Sequence, residues 1–180
     1  MNTQKKQVKP PVRRFVDNQQ PLNYSFSIIH HWLGNNLTEY SEKFKYTVRV
    51  RWSECDVQGV VYYGTYLDYI HVVMDEYFRD MGFLLMMEEE RKILDLAAVK
   101  VSLEYKHSAR IDDLVDLRFA ITKIGNTSVT TSINFYRTSD QKLLTTGEVI
   151  YVNFDSESGE AKPVPQKIRQ IVNEYEGTNF

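Results

Sequence analysis

The chain has 180 residues, 42% of them hydrophobic, and a formal net charge of -2, which suits one well-filled core in one domain and gives no overall case for nucleic acid. Its one cysteine, Cys55, excludes an internal disulfide framework and fits a reducing, cytoplasmic compartment. No apolar run approaches the roughly 20 residues that span a bilayer, so a soluble protein is expected.

Residues 1–43 read as an N-terminal extension rich in Asn, Gln, Lys and Pro, without a sustained period. The first 16 residues carry Lys5, Lys6, Lys9, Arg13 and Arg14 and no acid. No apolar stretch follows Met1 as a secretory signal requires, and Pro10-Pro11 together with scarce serine argues against a transit peptide. Within the extension, PLNYSFSIIHHWLGN predicts a short helix with Phe26, Ile29 and Leu33 on one face and Gly34 as its stop. This part is either a flexible leader or a segment that docks on the body or on a partner. His30 and His31 are neighbours that do not share one helix face, and no third ligand accompanies them, so no metal site is expected.

From Phe44 the pattern is regular, and residues 44–180 are expected to form the folded domain. Phe44, Tyr46, Val48, Val50 and Trp52 alternate with Lys45, Thr47, Arg49 and Arg51, the signature of a half-buried strand. A helix follows from about Gly64 to Met81, its apolar face formed by Tyr66, Tyr69, Ile70, Val73, Tyr77, Phe78 and Met81, with Gly82 closing it. Residues 83–97 predict a shorter helix or an irregular cover, in which Glu88 to Lys92 form a solvated face. Four more strands come next, marked in turn by Val99, Val101, Leu103 and Tyr105, by Val115, Leu117, Phe119 and Ile121, by Val129, Thr131, Ile133 and Phe135, and by Leu144, Ile150, Val152 and Phe154. Turn signals at Asp112-Asp113, Gly125-Asn126 and Ser139-Asp140 separate them, and the short spacing favours an antiparallel meander. After Pro163 and Pro165, a closing helix carries Ile168, Ile171, Val172 and Tyr175. One helix against one antiparallel sheet leaves an edge and part of a face uncovered, so a homodimer is expected.

The segment RWSECDVQGVVYYGTYLDYIHVVMDEYFRDMG carries the chemistry. A strand-like run ends at a lone acid, Asp56, followed by a glycine turn at Gly59, the pair Tyr62-Tyr63 and the helix. A carboxylate just before a helix lies beside unpaired backbone N–H groups and the positive end of the helix dipole, which suits attack on a carbonyl whose oxyanion those groups hold. The bland alternative for Asp56 is a turn former that caps the helix. Glu54 would point to the same side as Asp56 in a strand, and reads as an edge or dimer-contact acid rather than half of a glycosidase pair. Cys55 points the other way with no His or Asn arranged beside it, so a small buried hydrophobe is expected. The tyrosines around the helix start are expected to be core and interface aromatics, one or two of them lining a pocket.

ECDVQGVVYYGTY, in this order of strand, long helix and four strands, resembles the hotdog-fold acyl-CoA thioesterases of the 4-hydroxybenzoyl-CoA thioesterase family. The resemblance covers about Lys43 to Phe154, rests on Asp56, Gly59, Tyr62-Tyr63 and Tyr66, and is joined by HSARIDDLVDLR and by Thr146-Gly147-Glu148 before YVNFD. It implies an α+β hotdog fold, a five-stranded antiparallel sheet wrapped around a long central helix, and hydrolysis of an acyl thioester without metal or cofactor, coenzyme A entering only as part of the substrate. It makes Asp56 the nucleophile or general base and the Tyr63 backbone N–H the oxyanion donor. Substrate contacts fall on Gly59, Val60, Tyr66, His71, Ser128 and Lys123, with the site between two subunits of a homodimer or of a tetramer built from dimers.

Two departures qualify the likeness. His71 stands where the type enzyme has an acid that contacts a ring hydroxyl, so another acyl group is expected. The type enzyme's basic phosphate-binding loop is replaced by Gly125-Asn126-Thr127, with Lys123 close by. Coenzyme A would then be gripped elsewhere, by Arg110, Lys106 or the basic leader, or an acyl carrier protein would present the thioester. A dehydratase is disfavoured because no His occurs within Ser53–Ile70, and a hotdog protein that only binds acyl thioesters is the remaining rival.

Overall fold

A computed structural model describes residues 43–180; the helix predicted within residues 21–35, His30-His31 and the basic leader lie outside the described residues. In chain order the elements are β1 (Lys45–Arg49), a 3-10 turn (Trp52–Glu54), α1 (Thr65–Asp80), α2 (Glu88–Ile93), β2 (Leu96–Tyr105), β3 (Leu114–Ile124), β4 (Ser128–Arg137), β5 (Lys142–Asn153) and α3 (Gln166–Glu176). The strands form one 5-stranded sheet in the order β1-β3-β4-β5-β2, with every neighbouring pair antiparallel. The strand count and the β3–β4–β5 meander are as the turn spacing led one to expect, but β2 does not join that meander: it crosses to the far edge and pairs with β5, while β1 takes the place beside β3. No helix of the described residues is long and apolar enough to cross a membrane.

The helix α1 holds the molecule together because its period-3.6 row of large residues meets the row that alternates along the central strands. Tyr66, Tyr69, Ile70, Val73, Met74, Tyr77 and Phe78 are all buried, against Val115, Leu117, Phe119 and Ile121 of β3 and Ile133 and Phe135 of β4. Rings lock the two layers at both ends, with Tyr66 at 5.2 Å from Phe135 and Tyr77 at 4.8 Å from Phe119. Burying each such side chain contributes about 1.5–3 kcal/mol. The helix stops at Gly82, whose φ of 76° lets Phe83 N–H reach back to Phe78 O at 2.9 Å.

Four departures from the expected pattern have local causes. Trp52 does not extend the inner row of β1: the chain leaves the sheet into the 3-10 turn, and the indole is 81% exposed. Val99 is the extra residue of a bulge between Ala98 and Lys100, so it leaves the row it was expected to share with Val101. That row, Val101, Leu103 and Tyr105, is not buried within one chain: Val101 is 44% and Tyr105 49% exposed. In β5 the buried row is Val149, Tyr151 and Asn153, not Ile150, Val152 and Phe154. The buried phase of VIYVNF includes Asn153, whose amide is satisfied by Asp95 N–H at 2.9 Å and Pro163 O at 3.0 Å, so hydrophobicity favours the wrong phase, and a bulge at Leu144 shifts the register upstream.

The far side of the sheet is polar, and one acid organises its β1 edge. Asp116 is 1% exposed, yet its carboxylate accepts Thr47 Oγ1 at 2.7 Å, Thr138 Oγ1 at 2.9 Å and Gln141 Nε2 at 3.3 Å, with Lys45 Nζ at 3.5 Å. Burial pushes its pKa up, but the three hydrogen bonds and the Lys45 charge outweigh it, and the carboxyl sits below its ordinary range. A depressed folded pKa stabilises the protein above the unfolded value of about 3.9 and loses that contribution as pH falls through the folded value. Urea midpoints of the native chain and Asp116→Asn should therefore differ at neutral pH and converge as the pH drops below about 4.

Candidate active site

Asp56 begins a tight hairpin. Its N–H donates to Val60 O at 2.9 Å, its carbonyl accepts Gly59 N–H at 3.0 Å, and its carboxylate Oδ1 accepts Gln58 N–H at 2.8 Å. Gly59 has φ 73°, a conformation that costs a residue with a Cβ about 1–2 kcal/mol, so the expected bend at Gly59 is present. The hairpin is fastened to the β2–β3 loop: Val60 bridges Arg110, and Val61 N–H donates to Ala109 O at 3.0 Å. Asp56 is half-buried, Val60 likewise, while Gly59 and the Arg110 side chain are exposed.

Glu54 ties this hairpin to α1. Its carboxylate Oε2 accepts Arg51 N–H at 2.6 Å and the Tyr69 hydroxyl at 2.8 Å, while its carbonyl accepts Tyr62 N–H at 2.9 Å. Burial and the Glu54 carboxylate together push the Tyr69 phenol well above its usual range, so it remains a donor. Read from the sequence as an edge or dimer-contact acid, Glu54 is within the chain a half-buried strut between the hairpin and α1. Beside it, the Cys55 thiol is pushed up by burial and then by Glu54, Asp56 and Asp113, which disfavours the thiolate.

The helix mouth is open. Tyr62 N–H is taken by Glu54 O, and Thr65 N–H by Tyr62 O at 2.9 Å. Between them, the N–H groups of Tyr63 and Gly64 have no acceptor among the described residues. The N-cap is Gly64, without a side-chain cap bond, so Asp56 does not cap α1; its side chain closes the hairpin turn instead. The Tyr63 carbonyl accepts the Tyr105 hydroxyl at 3.0 Å. Asp56, Gly59, Val60 and Tyr63 thus gather at one end of the sheet.

The other candidate residues lie elsewhere in the chain. Tyr66 is 3% exposed, its phenol pushed up by burial, and it packs against Phe135, Tyr105 and Tyr69; it is a core residue because the helical period turns it inward with Tyr69 and Ile70. His71 lies on the outer side of α1 with its side chain 60% exposed and Nε2 at 3.8 Å from Asp75 Oδ2. Ser128 opens β4, whereas Arg137 at the other end of β4 holds the hairpin-bearing loop through Asp113 at 3.3 Å and Ser108 O at 3.0 Å. At roughly 3.3 Å per residue, Ser128 is on the order of 30 Å from that end. Lys123, exposed at the bulge of β3, shares the Ser128 end. Beside it a cation is already committed: Arg169 of α3 donates to the carbonyls of Ile124 and Asn126, both at 3.3 Å, and to that of Gly125.

The chain belongs to the thioesterase-like superfamily, whose pattern it matches over residues 50–172. It is 27% identical over 128 residues to the acyl-CoA thioester hydrolase YbgC of Escherichia coli O6:H1, covering 69% of this chain and 92% of that protein. The acyl-CoA thioesterase YbgC of Haemophilus influenzae is 26% identical over 86 residues, covering 48% of this chain and 63% of that one. Among solved structures, a 1,4-dihydroxy-2-naphthoyl-CoA thioesterase from Synechocystis superposes with a TM-score of 0.66 at 19% identity, over 72% of this chain and 94% of its own. The BH1999 gentisyl-coenzyme A thioesterase does so with 0.62 at 19% identity, over 72% and 98%. At such identities the two structures speak for the fold alone, and the hotdog architecture is that fold.

Sequence reasoning missed Tyr105, reading it only as a member of an apolar row, and it expected Tyr69 to be a core aromatic without identifying Glu54 as the partner of its hydroxyl. The strut makes a stability claim that can be checked. Tyr69→Phe keeps the buried ring and removes a hydrogen bond to a charged group, so chemical denaturation should show a loss of about 1.5–3 kcal/mol.

Proposed function

We propose that this chain hydrolyses an acyl-CoA thioester to the free acid and coenzyme A, with Asp56 and the mouth of α1 as its reaction centre. The observation that carries the reading is a carboxylate held on the hairpin that leads into a 16-residue helix, at whose start the N–H groups of Tyr63 and Gly64 have no acceptor among the described residues. The chain is a thioester hydrolase; the names of its curated relatives, acyl-CoA thioester hydrolases, support coenzyme A as the carrier.

The chemistry needs little else. Asp56 either adds to the thioester carbonyl or takes the proton from a water that does so. In both routes the carbonyl oxygen becomes an oxyanion, and donors fixed in advance hold it without reorganising. Collapse expels the coenzyme A thiolate, which leaves as thiol after protonation. In the nucleophilic route a mixed anhydride remains, and water cleaves it to release the acid and restore the Asp56 carboxylate. Water is the only co-reactant, and no metal or redox group is called for. Arg110, exposed and bridged to Val60, is the cation best placed for the phosphates of the carrier.

The working unit is proposed to be a dimer. β2 is an edge strand of 10 residues whose inner row ends in exposed Val101 and Tyr105. A long apolar edge calls for a pairing strand. Ser128 and Lys123 lie at the other end of the sheet from Asp56 of the same chain, which supports a site they would enter from a second copy.

Asp56→Asn keeps the side chain's shape and loses its charge. Thiol release from a panel of short, long and aromatic acyl-CoAs should fall roughly 10²–10⁴-fold in this variant while the fold persists. Equal rates for the two proteins would overturn the Asp56 mechanism, and silence of the native chain with acyl-CoAs but not with acyl carrier protein thioesters would change the carrier. A dimer that binds acyl-CoA and releases no thiol at all would be a binding protein. Separately, Val101→Asp should shift sedimentation from dimer to monomer and abolish turnover together.

A further inference from the structure

We infer that Tyr105 is a positioning residue of the thioesterase reaction, holding the Tyr63–Gly64 peptide so that the Gly64 N–H serves as a second oxyanion donor beside the Tyr63 N–H. The inference rests on the reading of the helix mouth proposed above and adds to it a residue from the sheet edge.

The Tyr63 carbonyl and the Gly64 N–H belong to one planar unit, pointing in opposite directions. Fixing the oxygen therefore fixes the direction of the N–H. Tyr105 Oη donates to that oxygen at 3.0 Å from the last residue of β2, 42 positions further along the chain. The donor is itself immobilised: its ring meets the Tyr66 ring edge-on at 5.4 Å, and Tyr66 is clamped by Phe135 and Tyr69. Neighbouring peptides of the turn are already held, by Tyr62 N–H on Glu54 O and by Thr65 N–H on Tyr62 O. The Tyr63–Gly64 peptide is the one whose orientation depends on a side chain.

The bond also acts electronically. An amide whose carbonyl accepts a hydrogen bond is polarised, and its N–H becomes a stronger donor. The Tyr105 phenol is pushed up by burial and by Tyr63, so its proton stays in place across the neutral range. A Tyr at this place is thus more than a half-exposed aromatic on an edge strand.

Tyr105→Phe tests this, because it keeps the ring packed on Tyr66 and deletes only the donor. Turnover of the best acyl-CoA should fall roughly three- to tenfold, the worth of one hydrogen bond, with KM changed less than about twofold and with sedimentation and thermal midpoint as in the native chain. Two inhibitors built on the same acyl chain separate positioning from packing. A trifluoromethyl ketone analogue of coenzyme A, whose hydrated anion imitates the tetrahedral intermediate, should bind the variant more weakly by the same factor as the fall in kcat. A thioether analogue without the carbonyl should bind both proteins equally. Unchanged kcat, or equal weakening of both analogues, would overturn the role of Tyr105 while leaving Asp56 in place. Native turnover that survives Asp56→Asn, or no turnover in the native protein, would instead remove the reading on which the inference stands, and the inference with it.

Discussion

Everything at the proposed reaction centre depends on Glu54. One residue of a 3-10 turn binds Arg51 N–H and Tyr69 Oη through its carboxylate and Tyr62 N–H through its carbonyl. The first contact closes the turn after β1, the second anchors it to the buried face of α1, and the third sets the start of the helix. Asp56 follows two residues later, so its position is inherited from a strut that itself rests on the core. A carboxylate hydrogen-bonded to a buried phenol is a strong fastening only while both partners remain, since removing one leaves the other without a partner in a dry place. Catalytic groups placed on loops need such support from rigid elements, because displacements of an ångström at the reacting atoms matter.

The same economy shows in the sheet. The central strands β3 and β4 alternate between a row that packs on α1 and a polar row that faces away. The edges differ: β1 is secured by the Asp116 network, whereas β2 carries apolar residues that nothing in the described chain covers. An edge that is long and apolar is a hazard for a monomer and an asset for a symmetric assembly. Tyr105 sits on that edge and reaches the helix mouth, so the proposed assembly surface and the proposed oxyanion turn share a residue. Pairing at β2 would hold the strand on which this hydrogen bond depends, coupling assembly to activity through a single phenol.

Much of this was legible in the sequence where one face of an element is buried and the other wet. The row Tyr66, Tyr69, Ile70, Val73, Tyr77 and Phe78 marked α1, and Val115 to Ile121 marked β3, because hydrophobic period is a direct image of burial. The hairpin was legible too, since Gly59 in a run of otherwise ordinary residues signals positive φ. What escaped were features that do not alter apolarity. Bulges at Val99 and Leu144 shift phase without changing composition, and the inner phase of β5 carries Asn153, a polar residue buried through its hydrogen bonds. Tyr66 looked like a ligand contact because it follows the motif, yet the helical period that marks Tyr69 as core marks Tyr66 as well. The strut and the Tyr105 bond join positions 15 and 42 residues apart, and no local pattern announces a pairing at such distance.

The helix mouth breaks local rules in a way that argues for its use. Ser, Thr, Asp or Asn at an N-cap satisfies an exposed N–H through its side chain; glycine, also common there, leaves it unsatisfied at a cost of about a few tenths of a kcal/mol. Here the cap is Gly64, the acid that would serve is spent on the Asp56 turn, and Tyr62 and Tyr63 stand exposed beside it. A side chain at position 64 would also collide with the neighbouring ring: a Cβ there would come within 2.6 Å of Tyr62 Cε1. Glycine at this position therefore offers the two N–H groups no side-chain acceptor and leaves room for the neighbouring Tyr62 ring. Stability would be better served by a capped helix and a buried pair of rings, so the arrangement costs the fold something. Sequences tend to forgo such local consistency where a site has to stay open for a ligand. Bare donors at the positive end of α1, next to a carboxylate that the fold holds away from the cap, are what a carbonyl with developing negative charge requires.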